Sequence, residues 1–215
     1  GSVSIPGALG LLVGLLVVFA GFATFLLNPA TTLMLVAYLG LTLAYSYYFK
    51  QQLLLDALVL AGLYTHRVLT GGVAADVTIS PWLLVFSGFL FLSLAFVKRF
   101  TELQVLPEGS DQQIERRAYR SSDLATVEIM GLSCAFMSVL VLCLFVSGGD
   151  VVQLYSTPAL LWAMVPIMLY WVARIWMLAR RGELHSDPVL FAVRDRPSYV
   201  CGALLVIVVL VAARL

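Results

Sequence analysis

The sequence predicts an all-α, polytopic membrane bundle with seven transmembrane helices. Three observations carry that prediction. The 215 residues are 61% hydrophobic and only 12% charged. Their apolar residues fall in runs long enough to cross a bilayer. Their basic residues gather in alternate connections. A soluble domain carries about 25% charged residues, so this chain lacks the polar side chains to cover a water-facing surface. Its mean hydropathy of +0.99 agrees. A formal net charge of +1 gives no basic surface for nucleic acid, and none is expected as a partner.

Each run is long because about 30 Å of hydrocarbon needs about 20 residues of helix. The runs are Gly7–Leu27, Thr31–Tyr48, Leu53–Leu69, Pro81–Val97, Leu124–Val146, Pro158–Met177 and Tyr199–Ala213. The third and seventh are short and read as tilted or partly interfacial. Hydrophobicity is continuous within the runs, without the period-two alternation of a membrane barrel. Gly71-Gly72, after the third run, reads as a turn. Cys134, Cys143 and Cys201 all lie in apolar runs without a CxxC pair, the pattern of small buried hydrophobes.

The connections 28–30, 70–80 and 147–157 contain no Lys or Arg. Lys50, Lys98, Arg99, Arg116, Arg117, Arg120, Arg174, Arg180, Arg181, Arg194 and Arg196 are on the other side, 11 of the 13 basic residues. The positive-inside rule makes that side cytoplasmic. The whole chain, 1–215, reads as one transmembrane domain, and charged chemistry belongs to its cytoplasmic edge.

Several polar residues sit at or inside span edges. Asp56 follows three leucines, where a carboxylate suits a helix N-terminus but is costly if unpaired. Lys50, six residues earlier, could partner it if the turn folds back. Arg67 is expected to snorkel outward or pair with Asp76, and His66 to pack as an ordinary histidine. Glu128 could face the bundle or the interface. Tyr45, Tyr47 and Tyr48 fit an aromatic belt beside Lys50.

In "VKRFTEL", Val97 to Leu103, Lys98 and Arg99 match a plain membrane-exit cap. Glu102 follows at helical spacing, so one face can carry both signs. Cations beside a carboxylate also suit a phosphate group. Spacing alone leaves both readings open. No Walker, HExxH or GxSxG motif is present. Helix centres nearly free of charge argue against a transporter, whose polar or broken helices meet at the midplane.

Four segments, in this order, carry a resemblance: "LAYSYYFKQQLLLDALVLAGLYTHRVLTGGVA", "SLAFVKRFTEL", "RRAYRSSDL" and "RGELHSDPVLFAVRDRPS". Together they resemble the UbiA superfamily of intramembrane prenyltransferases. The branch they look most like contains decaprenyl-phosphate phosphoribosyltransferases and relatives fused to haloacid-dehalogenase-like phosphatase domains. The resemblance implies a nine-helix fold of which the seven runs are helices 3 to 9. It also implies an Asp-rich motif before helix 3, which this chain lacks. The expectation is therefore an N-terminally truncated domain with little activity alone. His66, and "HSDP" in place of Asp-Asp-Pro, depart from the pattern.

By the same resemblance the protein is a transferase in a bacterial plasma membrane. It would act on a polyprenyl lipid, with a diphosphate-bearing small molecule as donor and Mg²⁺ as cofactor. Phosphoribosyl transfer to a polyprenyl phosphate and prenyl transfer to an aromatic acceptor are both compatible. Lys50, Lys98 and Arg99 would contact phosphate oxygens. Asp56 and Glu102 would orient those cations or reach the metal or sugar. Tyr45, Arg117 and Tyr119 are weaker members of the same pocket.

Overall fold

The structure, a computed structural model, describes residues 27–106, 117–184 and 187–214, with isolated positions between 7 and 21. The first expected span, Gly7–Leu27, lies almost wholly outside the described residues. So does the middle of the longest polar connection, 107–116. Six long helices follow, two of them entered through a 3-10 turn, and these six are long and apolar enough to cross a membrane. The protein is an integral membrane helical bundle.

Helix α1 (Pro29–Tyr47) starts on Asn28, whose side chain accepts the Thr31 amide. Proline at the first helical position removes an amide that would otherwise lack a partner. The same device opens α3 (Pro81–Gln104), where Ser80 accepts from Trp82. Between them, a 3-10 turn over Phe49–Gln51 leads into α2 (Leu55–Ala74).

Helix α2 runs five residues beyond its apolar run. Gly71 and Gly72 are helical, which corrects the expected turn. The reason is packing: a Cβ at Gly72 would lie 2.3 Å from the Ile79 side chain. The glycine lets the returning chain close against the helix. The reversal falls instead at Asp76, with a positive φ of 54°. At about 1.5 Å per residue, the 20 residues of α2 suffice for a full crossing; the helix expected to be short is not.

Helix α3 continues two turns past its apolar run, so Lys98, Arg99 and Glu102 are helical. It packs most extensively on α4 (Leu124–Ser147) and on α2. At the α3–α4 seam, Trp176 from α6 (Met164–Arg180) lies over Gly131 and tilts against Phe100, ring centroids 5.7 Å apart. Its indole donates to Ser93 at 3.0 Å. Short α5 (Gly149–Leu154) and a 3-10 turn at Pro158–Ala163 join α4 to α6. Short α7 (Pro188–Ala192) then leads to α8 (Arg196–Arg214). Outward faces of the bundle are apolar: Leu33, Val36, Leu43, Ile129 and Val206 are all exposed. In hydrocarbon that is the favourable arrangement.

Candidate functional site

The charged end of the bundle is organised around Asp56. It lies in the first turn of α2, behind Leu54, whose φ of 63° is unusual for a branched residue. Asp56 is 0% exposed. A buried carboxylate needs partners to remain charged, and three supply them. Tyr119 donates its hydroxyl to Oδ1 at 2.7 Å. Arg117 donates from Nη1 to Oδ2 at 2.9 Å. Arg99 brings Nε to 3.2 Å from the same oxygen. The Tyr119 hydroxyl is also bonded to the Leu54 backbone, which ties the strained residue into the site. Burial, and then the Asp56 charge, push the Tyr119 phenol well up, so it stays a donor.

Arg99 is also 0% exposed. Its position corrects the plain membrane-exit reading: an exposed cap would point to water, and this guanidinium points into the bundle. Its Nη1 pairs with Glu102 one turn on. Its Nε and Nη2 are buried without an aligned hydrogen-bond partner among the described residues. Arg117 closes the ring, with Nε 3.3 Å from Glu102 Oε2 and a further hydrogen bond to Tyr45 on α1. Burial would weaken the Arg117 cation, but Tyr45, Glu102 and Asp56 together hold it protonated.

Of the sequence-expected residues, Tyr45, Asp56, Arg99, Glu102, Arg117 and Tyr119 therefore meet in one network. Lys98 faces a different partner, Asp187, at 2.7 Å. Lys50 makes no hydrogen bond or ion pair among the described residues, so it is not the partner of Asp56. Two arginines reach that carboxylate first, because α3 and the segment after residue 116 pack over the start of α2. Glu128 pairs with Arg180 at 2.9 Å, close to the surface.

Asp187 was missed as a site residue. The local signal was the Asp-Pro pair: Asp187 caps α7, accepting from Val189 at 3.0 Å. Its neighbours His185 and Ser186 lie outside the described residues. Also missed was a second fork, where Arg174 grips Asp195 through two bonds of 2.7 and 3.0 Å. Ser198 donates to Asp195 from both amide and hydroxyl, and Trp171 donates to Ser198 Oγ.

Burial alone would raise the Asp195 carboxyl, but hydrogen bonds from Arg174 and Ser198 hold it below the usual range. Asp187 is held low in the same way by Lys98. A carboxyl lowered in the folded state stabilises above its unfolded value, about pH 3.9, and that stability fades as pH falls through the folded value. Thermal unfolding in detergent should therefore lose stability below about pH 4. Asp195→Asn should flatten that acid limb; an unchanged limb would place the dependence elsewhere.

A chamber of about 680 Å³, bounded by α3, α4, α6 and α8, extends from the connections at the far end of the bundle, around Ile79 and Tyr155, to Ser198 near the start of α8. Phe86, Leu90, Met168, Trp171 and Leu205 line it, with Ser198 among its few polar groups. The charged cluster does not line this chamber; fixed cations at one membrane edge suit a phosphorylated group, and the apolar chamber suits hydrocarbon.

The chain is similar to several known proteins. The chain is 37% identical over 198 residues to y4nM, an uncharacterized protein of Sinorhizobium fredii, covering 91% of this chain and 38% of that one. It is 34% identical over 165 residues to the nodulation protein NoeC of Azorhizobium caulinodans, covering 77% and 54%. It is 34% identical over 118 residues to the decaprenyl-phosphate phosphoribosyltransferase of Mycolicibacterium smegmatis, covering 54% and 37%. These similarities support a UbiA-like relationship. The chain thus spans about two-fifths to one-half of these curated relatives. No family model matches it.

Proposed function

We propose that this chain forms the phosphate-handling part of an integral membrane transferase. It would transfer a group from a diphosphate-bearing donor to a polyprenyl lipid, with the diphosphate as leaving group, most specifically by phosphoribosyl transfer to a polyprenyl phosphate. The observation that carries this reading is the buried Arg99 guanidinium. It is fixed by Asp56 and Glu102, and its Nη2 has no hydrogen-bond partner among the described residues. A fixed, dry cation with a spare donor suits an oxygen that gains charge as a diphosphate departs. The decaprenyl-phosphate phosphoribosyltransferases among the relatives favour the same chemistry.

The network also suggests how an anion would enter. Asp56 and Glu102 together balance Arg99 and Arg117, so the cluster is formally neutral. Arg117 is the more accessible cation, its side chain 18% exposed against 0% for Arg99. A phosphate would compete with Glu102 for Arg117, while Asp56 keeps both forks oriented. Lys98, held by Asp187, would supply a point charge from the adjacent wall.

Mg²⁺ belongs to the proposal only as a counterion arriving with the diphosphate. No group of three ligating side chains occurs among the described residues. Asp56 and Glu102 are committed to guanidinium groups, which disfavour a divalent cation beside them. No step is assigned to a metal. Orientation with this edge in the bacterial cytoplasm remains part of the same proposal.

The test is calorimetric binding of phosphoribosyl pyrophosphate, with turnover measured on the complete native polypeptide in liposomes. Arg117→Gln and Lys98→Gln are each expected to weaken donor binding about tenfold, the loss of one charge-assisted contact. Unchanged affinity in both variants would overturn the site. Turnover with a prenyl diphosphate and an aromatic acceptor, but none with phosphoribosyl pyrophosphate, would overturn the donor.

A further inference from the structure

Most arginines with described side chains have a partner that fixes them. Arg99 and Arg117 share Asp56 and Glu102, Arg174 holds Asp195, and Arg180 holds Glu128. Arg67 pairs with no carboxylate among the described residues, which corrects the expected contact with Asp76. It is caged instead by Tyr38 and Tyr64: Nε donates to the Tyr38 hydroxyl at 2.9 Å, and the guanidinium carbon stands 5.2 and 5.0 Å from the two ring centres. Arg196 differs from all of these. It opens α8, is exposed, and meets no carboxylate or hydrogen-bond acceptor among the described residues. The adjacent carboxylate, Asp195, is committed to Arg174 and Ser198.

Arg196 stands at the rim of a groove of about 560 Å³ between α6 and α8. Two cross-links fix the register of these antiparallel helices: Arg174 with Asp195, and Trp171 with Ser198 at 3.0 Å. In that register Tyr170 lies about one turn further into the membrane than Arg196. Its side chain is exposed, and its hydroxyl has no hydrogen-bond partner among the described residues. Deeper still, Pro166, Ile167, Val200 and Leu204 give the groove apolar walls. From the edge inward the groove thus presents a guanidinium, a phenol and then hydrocarbon. From Arg196 to Leu204 it runs about 12 Å at about 1.5 Å per residue. That length fits one leaflet of a hydrocarbon layer about 30 Å thick and is too short to seat a second membrane-crossing helix.

We propose that this groove binds an anionic glycerophospholipid of the surrounding bilayer. Its phosphate would sit on Arg196, a glycerol ester would accept from the Tyr170 hydroxyl, and an acyl chain would follow Val200 and Leu204. Charge and order identify the occupant. A cation at the membrane edge with no counter-charge of its own attracts anionic lipids, and the groove repeats the sequence of phosphate, ester and chain. Cys201, 6% exposed, lines both this groove and the apolar chamber on its other side. A lipid held here would therefore brace the chamber wall from outside. The site does not depend on the transferase reading.

The experiment measures binding to the purified protein in detergent by native mass spectrometry, with phosphatidylglycerol, phosphatidylcholine and inorganic phosphate as probes. Wild type should bind phosphatidylglycerol about fivefold more tightly than phosphatidylcholine, the effect of one arginine facing an anionic lipid. Arg196→Gln should abolish that preference by weakening phosphatidylglycerol binding to the same extent. Arg194→Gln is the control: that arginine is exposed two residues away, does not line the groove, and its loss should change nothing. Equal phosphatidylglycerol affinity in wild type and Arg196→Gln would overturn the site, and so would equal losses in the two variants. Inorganic phosphate displacing phosphatidylglycerol at equal concentration would overturn its assignment to a lipid. If Arg196→Gln does not fold, wild type decides the matter through phosphatidylglycerol with a diazirine in its acyl chain. Labelling along 166–170 or 200–204 supports the site, and labelling spread evenly over the other outward faces overturns it.

Discussion

Replacing Asp56 by alanine is expected to destabilise the protein by about 3–5 kcal/mol, the usual cost of removing one partner from a buried ion pair. The cost arises less from the lost attraction than from what is left behind. Arg99 is 0% exposed and would remain charged, with Glu102 as its only carboxylate contact among the described residues. Tyr119, 1% exposed, would lose the acceptor of its hydroxyl. Asp56→Asn keeps an acceptor for Tyr119 but not the negative charge, and should cost less than alanine. Thermal unfolding in detergent orders the three proteins; an Asp56→Ala midpoint equal to wild type would mean that the network contributes nothing to stability. Because Asp56 orients both guanidinium groups, donor binding should weaken even in the milder variant.

The second large effect is expected at Gly131. A Cβ there would lie 2.2 Å from the Trp176 ring and 2.8 Å from Phe96 Cβ. Trp176 has little room to yield, because Ser93 holds its indole nitrogen and Phe100 packs on its ring. Overpacking of this kind costs about 1–3 kcal/mol, against a helix-propensity gain of about 1 kcal/mol for Gly→Ala. Gly131→Ala should therefore be destabilised overall, with a changed tryptophan emission spectrum. Gly40→Ala is the matched comparison, since nothing lies within 4 Å of its added carbon. It should be neutral or slightly stabilised. Equal midpoints for the two variants would show that the α4–α6 contact can relax.

How much of this could be read from the chain differs by feature. Helices of membrane length were legible because hydropathy is local; the Asn28 and Ser80 caps that start two of them emerge from the structure. The far end of α2 was not legible. Gly71-Gly72 has the composition of a turn, and only the approach of Ile79 to Gly72 shows why the helix continues. At the site, Asp56, Arg99 and Glu102 stood out as charges beside apolar runs. Their pairing did not, since Arg117 is 61 residues from Asp56 in sequence. Asp187 was hidden further, 89 residues from Lys98. Arg67 was legible as an anomaly, but its tyrosine cage was not: Tyr38 lies 29 residues earlier, on another helix.

The convergence on Asp56 has a consequence for how the chain is assembled in a bilayer. Helices that enter a membrane one by one meet their neighbours afterwards. Until α2 and α3 dock, Arg99 has only Glu102 nearby, and Asp56 is an uncompensated anion close to hydrocarbon. Each helix therefore arrives with a polar defect that the other, joined by the segment carrying Arg117 and Tyr119, removes. Incorrectly ordered or incomplete arrangements leave such a defect exposed at the membrane edge. The residues that prepare the site for a phosphate also make correct association of these segments self-proofreading during biogenesis.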